Sequence, residues 1–163
     1  MTIAGKKVSD SQIETSYLMM PQHANPAGKI YGGTILAMAD AVAYMCAARH
    51  SSPNCVTVGV DQMDFREPIN IGEMLTFKAA INYVGKTSME IGIRIEAEDL
   101  QTGERRHTNS CYFTMVSLDK NGKPSPAPML MTETPEEKRR FEEGRIRREH
   151  SKELSEKRKA FRA

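Results

Sequence analysis

The chain has 163 residues, of which 39% are hydrophobic and 27% are charged, and it contains no tryptophan. This length suits one domain that buries about two thirds of its unfolded surface, so a second catalytic domain is not needed. The N-terminus lacks the apolar segment of a secretory signal. The longest apolar run, residues 35–48, is interrupted by Asp40 and is shorter than the ~20 residues of a membrane span. These features predict a cytoplasmic protein with no membrane span.

Cysteine and histidine usage argues against a metal centre. Cys46, Cys55 and Cys111 are widely spaced and form no C-x-x-C pair, which favours reduced, packed thiols over a disulfide framework or a zinc site. The four histidines are also scattered. Neither a metal site nor a histidine-based nucleophilic triad is therefore expected.

The first predicted strand covers residues 12–20, and a helix follows after Gly33. Apolar residues occur on every side of this helix, from Ile35 to Ala48, which is typical of a helix that is buried nearly all round. Asp40 is the one acid in the segment. Because an unpaired carboxylate is costly to bury, Asp40 is expected to be hydrogen-bonded or to face a cleft.

Four further strands are predicted from alternating apolar and polar residues, at 55–65, 74–84, 88–99 and 106–118. Turn signals separate the last three strands, which are therefore antiparallel hairpin neighbours. Such a sheet can bury one helix by curling around it, with the remaining apolar surface covered by a second copy of the chain. The predicted fold class is α+β, with a curled antiparallel sheet of five to six strands around a central helix, in an oligomer.

The C-terminal segment is a separate compositional unit, since residues 133–163 carry 11 Lys/Arg and 8 Asp/Glu. Thr134 is a candidate helix N-cap, followed by Pro135 and by acids in the first turn. The apolar residues of this charged helix form no continuous stripe, so only part of it can dock; a frayed, exposed helix is the alternative. We expect a domain of residues 1–131 and a helical extension of residues 132–163, whose acids argue against nucleic-acid binding.

The motif N-P-A-G-K-I-Y-G-G-T-I-L-A-M-A-D, residues 25–40, resembles the signature N-x-x-G-x-x-x-G-G-x-x-(L/M)-x-x-x-D of hotdog-fold acyl-CoA thioesterases of the cytosolic long-chain acyl-CoA hydrolase type. Residues 56–73 are similar to the family's second strand and following loop, and residues 84–93 to its central hairpin. The resemblance covers about residues 10–130. It implies the hotdog fold, dimers or trimers of dimers, and hydrolysis of acyl-CoA thioesters. At Ala24 and Lys29 the sequence departs from the residues that are frequent in the family. These departures bear on the preferred length of the acyl chain more than on activity.

By this resemblance, the family's paired functional residues fall on Asn25 and Asp40, contributed by different subunits to each shared site. Asp40 is then the general base, and Asn25 orients the water or the carbonyl. Gly32 and Gly33 open the helix without Cβ atoms, so a carbonyl can approach backbone N–H groups at the positive end of the helix dipole. No metal or organic cofactor is required, because CoA is part of the substrate.

The phosphates of CoA predict cations at the mouth of the site. Arg66 follows the predicted strand at 55–65, and Lys86, Thr87 and Ser88 occupy the hairpin that the family places near the nucleotide. These four residues are the predicted CoA contacts. The alternative for Lys86 is a solvated turn residue.

The other site residues also have a second interpretation. Residues 25–28 fit a type I turn, with Asn first, Pro second and Gly fourth. Gly32 and Gly33 can serve close packing alone, and Asp40 can be a carboxylate at a subunit interface. The alternative function is a non-catalytic acyl-CoA-binding or regulatory protein of the same fold. The joint presence of Asn25 and Asp40 argues for catalysis.

Overall fold

The computed structural model describes residues 4–52 and 54–161 of the chain. The elements in chain order are β1 (Lys6–Lys7), β2 (Ile13–Leu18), α1 (Gly32–His50), β3 (Cys55–Phe65), β4 (Met74–Val84), β5 (Ser88–Glu98), β6 (Arg105–Ser117), β7 (Leu130–Met131) and α2 (Pro135–Ala160). The five predicted strands and both predicted helices are confirmed. The strands β1 and β7 have two residues each, which is too short to produce an alternating pattern in the sequence.

The main sheet has five strands in the order β2-β4-β5-β6-β3, and neighbouring strands are antiparallel. Alternate residues of β4, β5 and β6 are buried on the inner face, where α1 packs. The parallel pair β1 and β7 lies outside this sheet. The architecture is the curled sheet around a helix that the sequence predicts. Its buried core is formed mainly by these residues: Phe77, Ile81, Met89, Ile91, Ile95, Phe113, Met115, Ile35 and Val42.

Within one chain, helix α1 is buried on one side only, which leaves apolar surface of the kind that the sequence predicts a second copy to cover. The buried side follows a helical stripe of seven residues: Ile35, Ala39, Val42, Ala43, Cys46, Ala47 and His50. On the other side Leu36, Tyr44 and Met45 are 36–40% exposed. The neighbouring strand β3 is an edge strand that exposes further apolar residues. We call the open side of α1 together with the edge strand β3 the α1–β3 face; the exposed apolar residues of these two elements are Leu36, Tyr44, Met45, Val56, Val58, Val60 and Phe65.

Helix α2 packs on the outer face of the sheet through its N-terminal half. Thr134 caps it by accepting a hydrogen bond from Glu137 N at 3.1 Å, as the sequence predicts. The Phe141 ring lies 5.0 Å from that of Tyr83, and Arg147 binds the buried Glu90 at 2.7 and 3.1 Å. Residues 151–160 are exposed. The helix is therefore docked over half its length. The division of the chain into a domain of residues 1–131 and an extension of residues 132–163 stays a prediction.

Neither helix α1 nor helix α2, nor any other helix in residues 4–52 and 54–161, is long and apolar enough to cross a membrane.

Candidate active site

Asn25 organises a tight turn immediately before α1. Its backbone oxygen accepts a hydrogen bond from Gly28 N at 2.9 Å, and Gly28 has a left-handed φ of 78°, which glycine adopts without strain. The Asn25 side-chain oxygen accepts bonds from Ala27 N at 2.9 Å and Lys29 N at 3.1 Å. The turn interpretation is therefore correct, and it leaves a functional role open.

The hydrogen bonds within this turn determine which way the Asn25 amide faces. Because the side-chain oxygen accepts two backbone N–H groups, the –NH₂ group is the end that points away from the turn. The turn closes at its base through Tyr31 N, which donates to His23 O at 2.9 Å. The residue that follows Tyr31 is the first of α1. The Asn25 amide is thus a donor held beside the start of the helix.

The two glycines that begin α1 have different surroundings. A Cβ atom on Gly32 would lie 3.0 Å from Cζ of Phe65, so close packing explains the glycine at this position. A Cβ atom on Gly33 would meet no atom of the described residues within 4 Å. The first N–H groups of a helix have no partner inside it, and Tyr31 does not cap α1 with its side chain. Gly33 therefore leaves the positive end of the helix open to an approaching carbonyl.

Asp40 is held by Thr57, a residue that no sequence pattern marks as part of a site. The hydroxyl of Thr57 in β3 donates to Oδ1 of Asp40 at 2.7 Å. Asp40 is partly exposed, on the α1–β3 face, so it is both hydrogen-bonded and accessible, as predicted. Thr57 gives no signal in the sequence because a threonine in a strand is ordinary.

A single chain does not bring Asn25 and Asp40 together. Gly32 lies against Phe65 at the end of β3, whereas Asp40 lies against Thr57 near its start, so α1 runs antiparallel to β3. Asp40 is eight positions after Gly32 in the helix, which corresponds to about 12 Å. The donors of the Asn25 turn and the carboxylate of Asp40 are therefore at two separate places along the α1–β3 face.

The predicted CoA contacts also divide between two ends of the sheet. Arg66 is exposed, and its N donates to Thr108 O at the start of β6. Thr87 O accepts a bond from Ser117 N at the end of β6, nine residues further on, or about 30 Å. Lys86 is exposed, Thr87 is partly buried and Ser88 is buried. Arg66 and the hairpin therefore cannot bind one nucleotide within a single chain.

No group of three or more His, Cys, Asp or Glu side chains in the described part of the chain could hold a metal ion. The three cysteines are buried free thiols, and burial raises the pKa of Cys46 to about 12 and that of Cys111 to about 12. These thiols are protonated at neutral pH and are not nucleophiles.

Comparison with known proteins identifies the family. The family model described as "Thioesterase superfamily" matches residues 27–104. The crystal structure of an apo-hexameric acyl-CoA thioesterase superposes with a TM-score of 0.90 and 35% identity, covering 94% of this chain and 98% of that chain. The chain belongs to the thioesterase superfamily. Its curled sheet around α1 is the hotdog fold that the motif at 25–40 implies.

Two further proteins are similar to this chain. VdlD of Helicobacter pylori is 48% identical over 134 residues, which is 82% of this chain and 76% of VdlD. An acyl-CoA hydrolase from Staphylococcus aureus, solved in complex with butyryl coenzyme A and coenzyme A, is 29% identical with a TM-score of 0.85. That alignment covers 95% of this chain and 96% of the hydrolase.

The Staphylococcus aureus hydrolase was also solved with alanine in place of an asparagine, an aspartate or a threonine. In its numbering these three residues are separated by 15 and 17 positions. Asn25, Asp40 and Thr57 are separated by the same two intervals. The three residues that stand out in the geometry here thus match in type and spacing those replaced in that enzyme.

Proposed function

We propose that the protein hydrolyses acyl-CoA thioesters to a free carboxylic acid and CoA, in active sites shared between two copies of the chain. The observation that carries this proposal is the arrangement of the α1–β3 face. The hydrogen-bond donors of the Asn25 turn lie at the start of α1, and the Asp40–Thr57 pair lies near the start of β3. Exposed apolar side chains of α1 and β3 accompany them.

A twofold dimer through this face would complete both sites. The edge strand β3 has unpaired backbone groups on its open side, and a twofold axis would pair it antiparallel with β3 of a second copy. The end of β3 at Phe65 in one copy would then lie beside the start of β3 in the other. Asn25 and Gly33 of each chain would approach Asp40 and Thr57 of its partner. The same pairing would bury the exposed apolar residues of α1.

The predicted CoA contacts fit the same dimer. Arg66 lies at the Phe65 end of β3, and the hairpin with Lys86 and Thr87 lies at the Cys55 end of the sheet. Antiparallel pairing would bring Arg66 of one chain toward the hairpin of the other. Cations from both chains could then bind the phosphates of one CoA. Ser88 is buried, so its part would be to support the hairpin rather than to touch the ligand.

The chemistry of the completed site is acyl transfer to water. Asp40, oriented by Thr57, would take a proton from a water molecule as its oxygen attacks the thioester carbon. The carbonyl oxygen becomes negative and would accept hydrogen bonds from the Asn25 amide and from the N–H groups at Gly32 and Gly33. Collapse of this intermediate would break the C–S bond, and the proton on Asp40 would pass to the departing CoA sulfur.

The relatives support this reaction class and an assembly larger than one chain. The solved neighbours are an acyl-CoA thioesterase described as hexameric and a hydrolase bound to butyryl coenzyme A and coenzyme A. A dimer is the minimum assembly that the shared sites require, and we expect three such dimers in a hexamer. No organic cofactor or metal is part of the proposed reaction, and the proposed location is cytoplasmic.

The test is CoA thiol release from acyl-CoAs of short, medium and long chain, measured on the wild-type chain. Two variants of strongly reduced activity, Asn25→Ala and Asp40→Ala, are then mixed under conditions that exchange subunits. Mixed dimers should regain up to about one intact site in two, because one of their two sites combines both wild-type residues. Binding of acyl-CoA without thiol release would favour the non-catalytic alternative. Activity of the wild type without recovery in verified mixed dimers would reject the shared site.

A further inference from the structure

The loop that carries Asn25 rests on a second loop of the same chain. We call residues 24–30 the Asn25 loop and residues 67–73 the Glu73 loop. Ile30 N donates to Ile69 O at 3.0 Å, and both of these isoleucine side chains are buried. The Lys29 ammonium donates to the side-chain oxygen of Asn70 at 2.6 Å. The position of the Asn25 amide therefore depends on where the Glu73 loop lies.

The Glu73 loop is in turn held by one buried carboxylate. Oε2 of Glu73 accepts a hydrogen bond from Asn70 N at 2.8 Å, which fixes the residue that binds Lys29. Arg106 in β6 donates two hydrogen bonds to the same carboxylate, of 2.7 and 2.8 Å, and a third to Pro68 O at 2.9 Å. A single guanidinium group thus fixes both ends of the loop.

Glu73 and Arg106 form a largely buried ion pair. Burial alone would raise the pKa of Glu73, but hydrogen bonds from Arg106 and from Asn70 outweigh burial and lower that pKa. The Glu73 side chain is only 8% exposed and that of Arg106 is 23% exposed. Removing the guanidinium would leave a buried carboxylate without a charged partner, which is strongly unfavourable. The loop would then shift to bring Glu73 to water.

We infer that Glu73 and Arg106 are positioning residues for Asn25, acting through Asn70 and Lys29. This inference rests on the proposed function, since it concerns the donor that Asn25 supplies to the thioester carbonyl. Neither Glu73 nor Arg106 touches the substrate in this scheme. Their effect is on the placement of the Asn25 amide, and a displacement of about 1 Å in such a donor can cost 10²-fold in rate.

The test is a double-mutant cycle on turnover. Arg106→Met in the wild-type background should lower kcat by about 10- to 100-fold, because it releases the Asn25 loop. In the Asn25→Ala background the same change should lower kcat by less than about threefold, since the donor is already absent. Arg105→Met is the matched control, because Arg105 is on the same strand but is 65% exposed and pairs with Glu98. It should leave kcat within about twofold of wild type.

A second pair of variants covers the case in which Arg106→Met does not fold. Asn70→Leu removes the acceptor for Lys29 and should lower kcat, whereas Asn70→Asp keeps an acceptor and should restore most of it. Equal fold-losses from Arg106→Met in both backgrounds, or equal kcat for Asn70→Leu and wild type, would overturn the inference. A wild-type chain that releases no thiol would instead reject the proposed function, so the two failures are distinguishable.

Discussion

Thr57 and Asp40 are joined across 2.7 Å by a hydrogen bond that links the edge strand β3 to the helix α1. Thr57→Val keeps the size of the side chain and removes the hydroxyl. We expect turnover to fall by about tenfold or more, because one hydrogen bond to a charged group, worth about 1.5–3 kcal/mol, no longer orients the carboxylate. Thr57→Ser should recover most of the rate. Steady-state kcat for the three chains measures this, and equal rates for Val and Ser variants would contradict it.

Replacing Asp40 distinguishes a role in catalysis from a role in subunit assembly. Asp40→Asn retains the side-chain size and can still accept the Thr57 hydroxyl, so fold and acyl-CoA affinity should persist. Turnover should fall by roughly 10²–10⁴, since the amide cannot accept the proton from water. Turnover, affinity for CoA esters and assembly need to be measured on the same preparation. If Asp40 is only an interface carboxylate, the variant will alter assembly and keep near-normal turnover per assembled site.

Replacing Gly32 or Gly33, the first two residues of α1, by alanine should have opposite effects on stability. Gly33→Ala places a Cβ in open space, and alanine in a helix is favoured over glycine by up to about 1 kcal/mol, so stability should hold or rise. Turnover should nevertheless fall, because the new Cβ blocks approach of the carbonyl. Gly32→Ala should lower stability, since its Cβ would lie 3.0 Å from the Phe65 ring. Thermal unfolding and kcat on both variants test this, and an active Gly33→Ala enzyme would remove Gly33 from the site.

The candidate site residues that the sequence predicts are those that lie close together in the chain. Asn25, Gly32, Gly33 and Asp40 lie within 16 consecutive residues, where the spacing itself resembles a family motif. Thr57 was missed because its partner is 17 positions away and threonine is common in strands. The sheet and central helix were predicted because their apolar residues repeat at the period of each element.

Long-range polar contacts could not be predicted in the same way. Arg106 is 33 positions from Glu73, and nothing in either segment indicates that the two side chains meet. The sequence predicts apolar surface on α1 for a second copy to cover, but not which residues form it, since an apolar helix surface looks the same in sequence whether its own sheet or a second chain covers it. Both features depend on how separate elements pack, which local periodicity does not encode.

The docking of α2 depends on one glycine at its contact with the sheet. A Cβ on Gly144 would lie 2.8 Å from Cβ of Tyr83 and 3.0 Å from Oε1 of Glu90. Gly144→Leu should therefore release α2, at a cost of about 1–3 kcal/mol, while the hotdog core still unfolds cooperatively. Limited proteolysis within α2 measures the release. Ser155→Leu, in the exposed half of the helix, is the control and should not increase cleavage.

Truncation after Met131 tests the expected boundary between the domain of residues 1–131 and the extension of residues 132–163. The pair β1–β7 is retained in this shortened chain, and the loss is confined to α2 and the residues that flank it. The remaining sheet and α1 should fold with a single cooperative transition, because the large buried side chains of the core lie before residue 131. Loss of cooperative unfolding in the truncated chain would show that α2 belongs to the core domain.

The last residue of α1 makes the stability of the fold depend on pH. His50 is fully buried, with its Nε2 3.0 Å from Pro128 O and its Nδ1 3.3 Å from the Ser11 hydroxyl. Burial lowers the pKa of His50 in the folded chain, the nearby Lys6 lowers it further, and the Pro128 carbonyl and Asp10 oppose the shift. The neutral ring donates through Nε2 to the carbonyl and accepts the serine hydroxyl at Nδ1.

Because the folded state holds His50 neutral, the unfolded state binds more protons as the pH falls below about 6.5. The contribution of His50 is therefore complete above that pH and is lost as the pH falls toward the lower pKa of the folded state. The free energy of unfolding should decrease by up to about 1.4 kcal/mol per pH unit from this group alone. His50→Gln should be less stable at neutral pH and show a shallower decrease between pH 7 and 5. The exposed His150→Gln is the control, and an identical slope in wild type and His50→Gln would exclude this coupling.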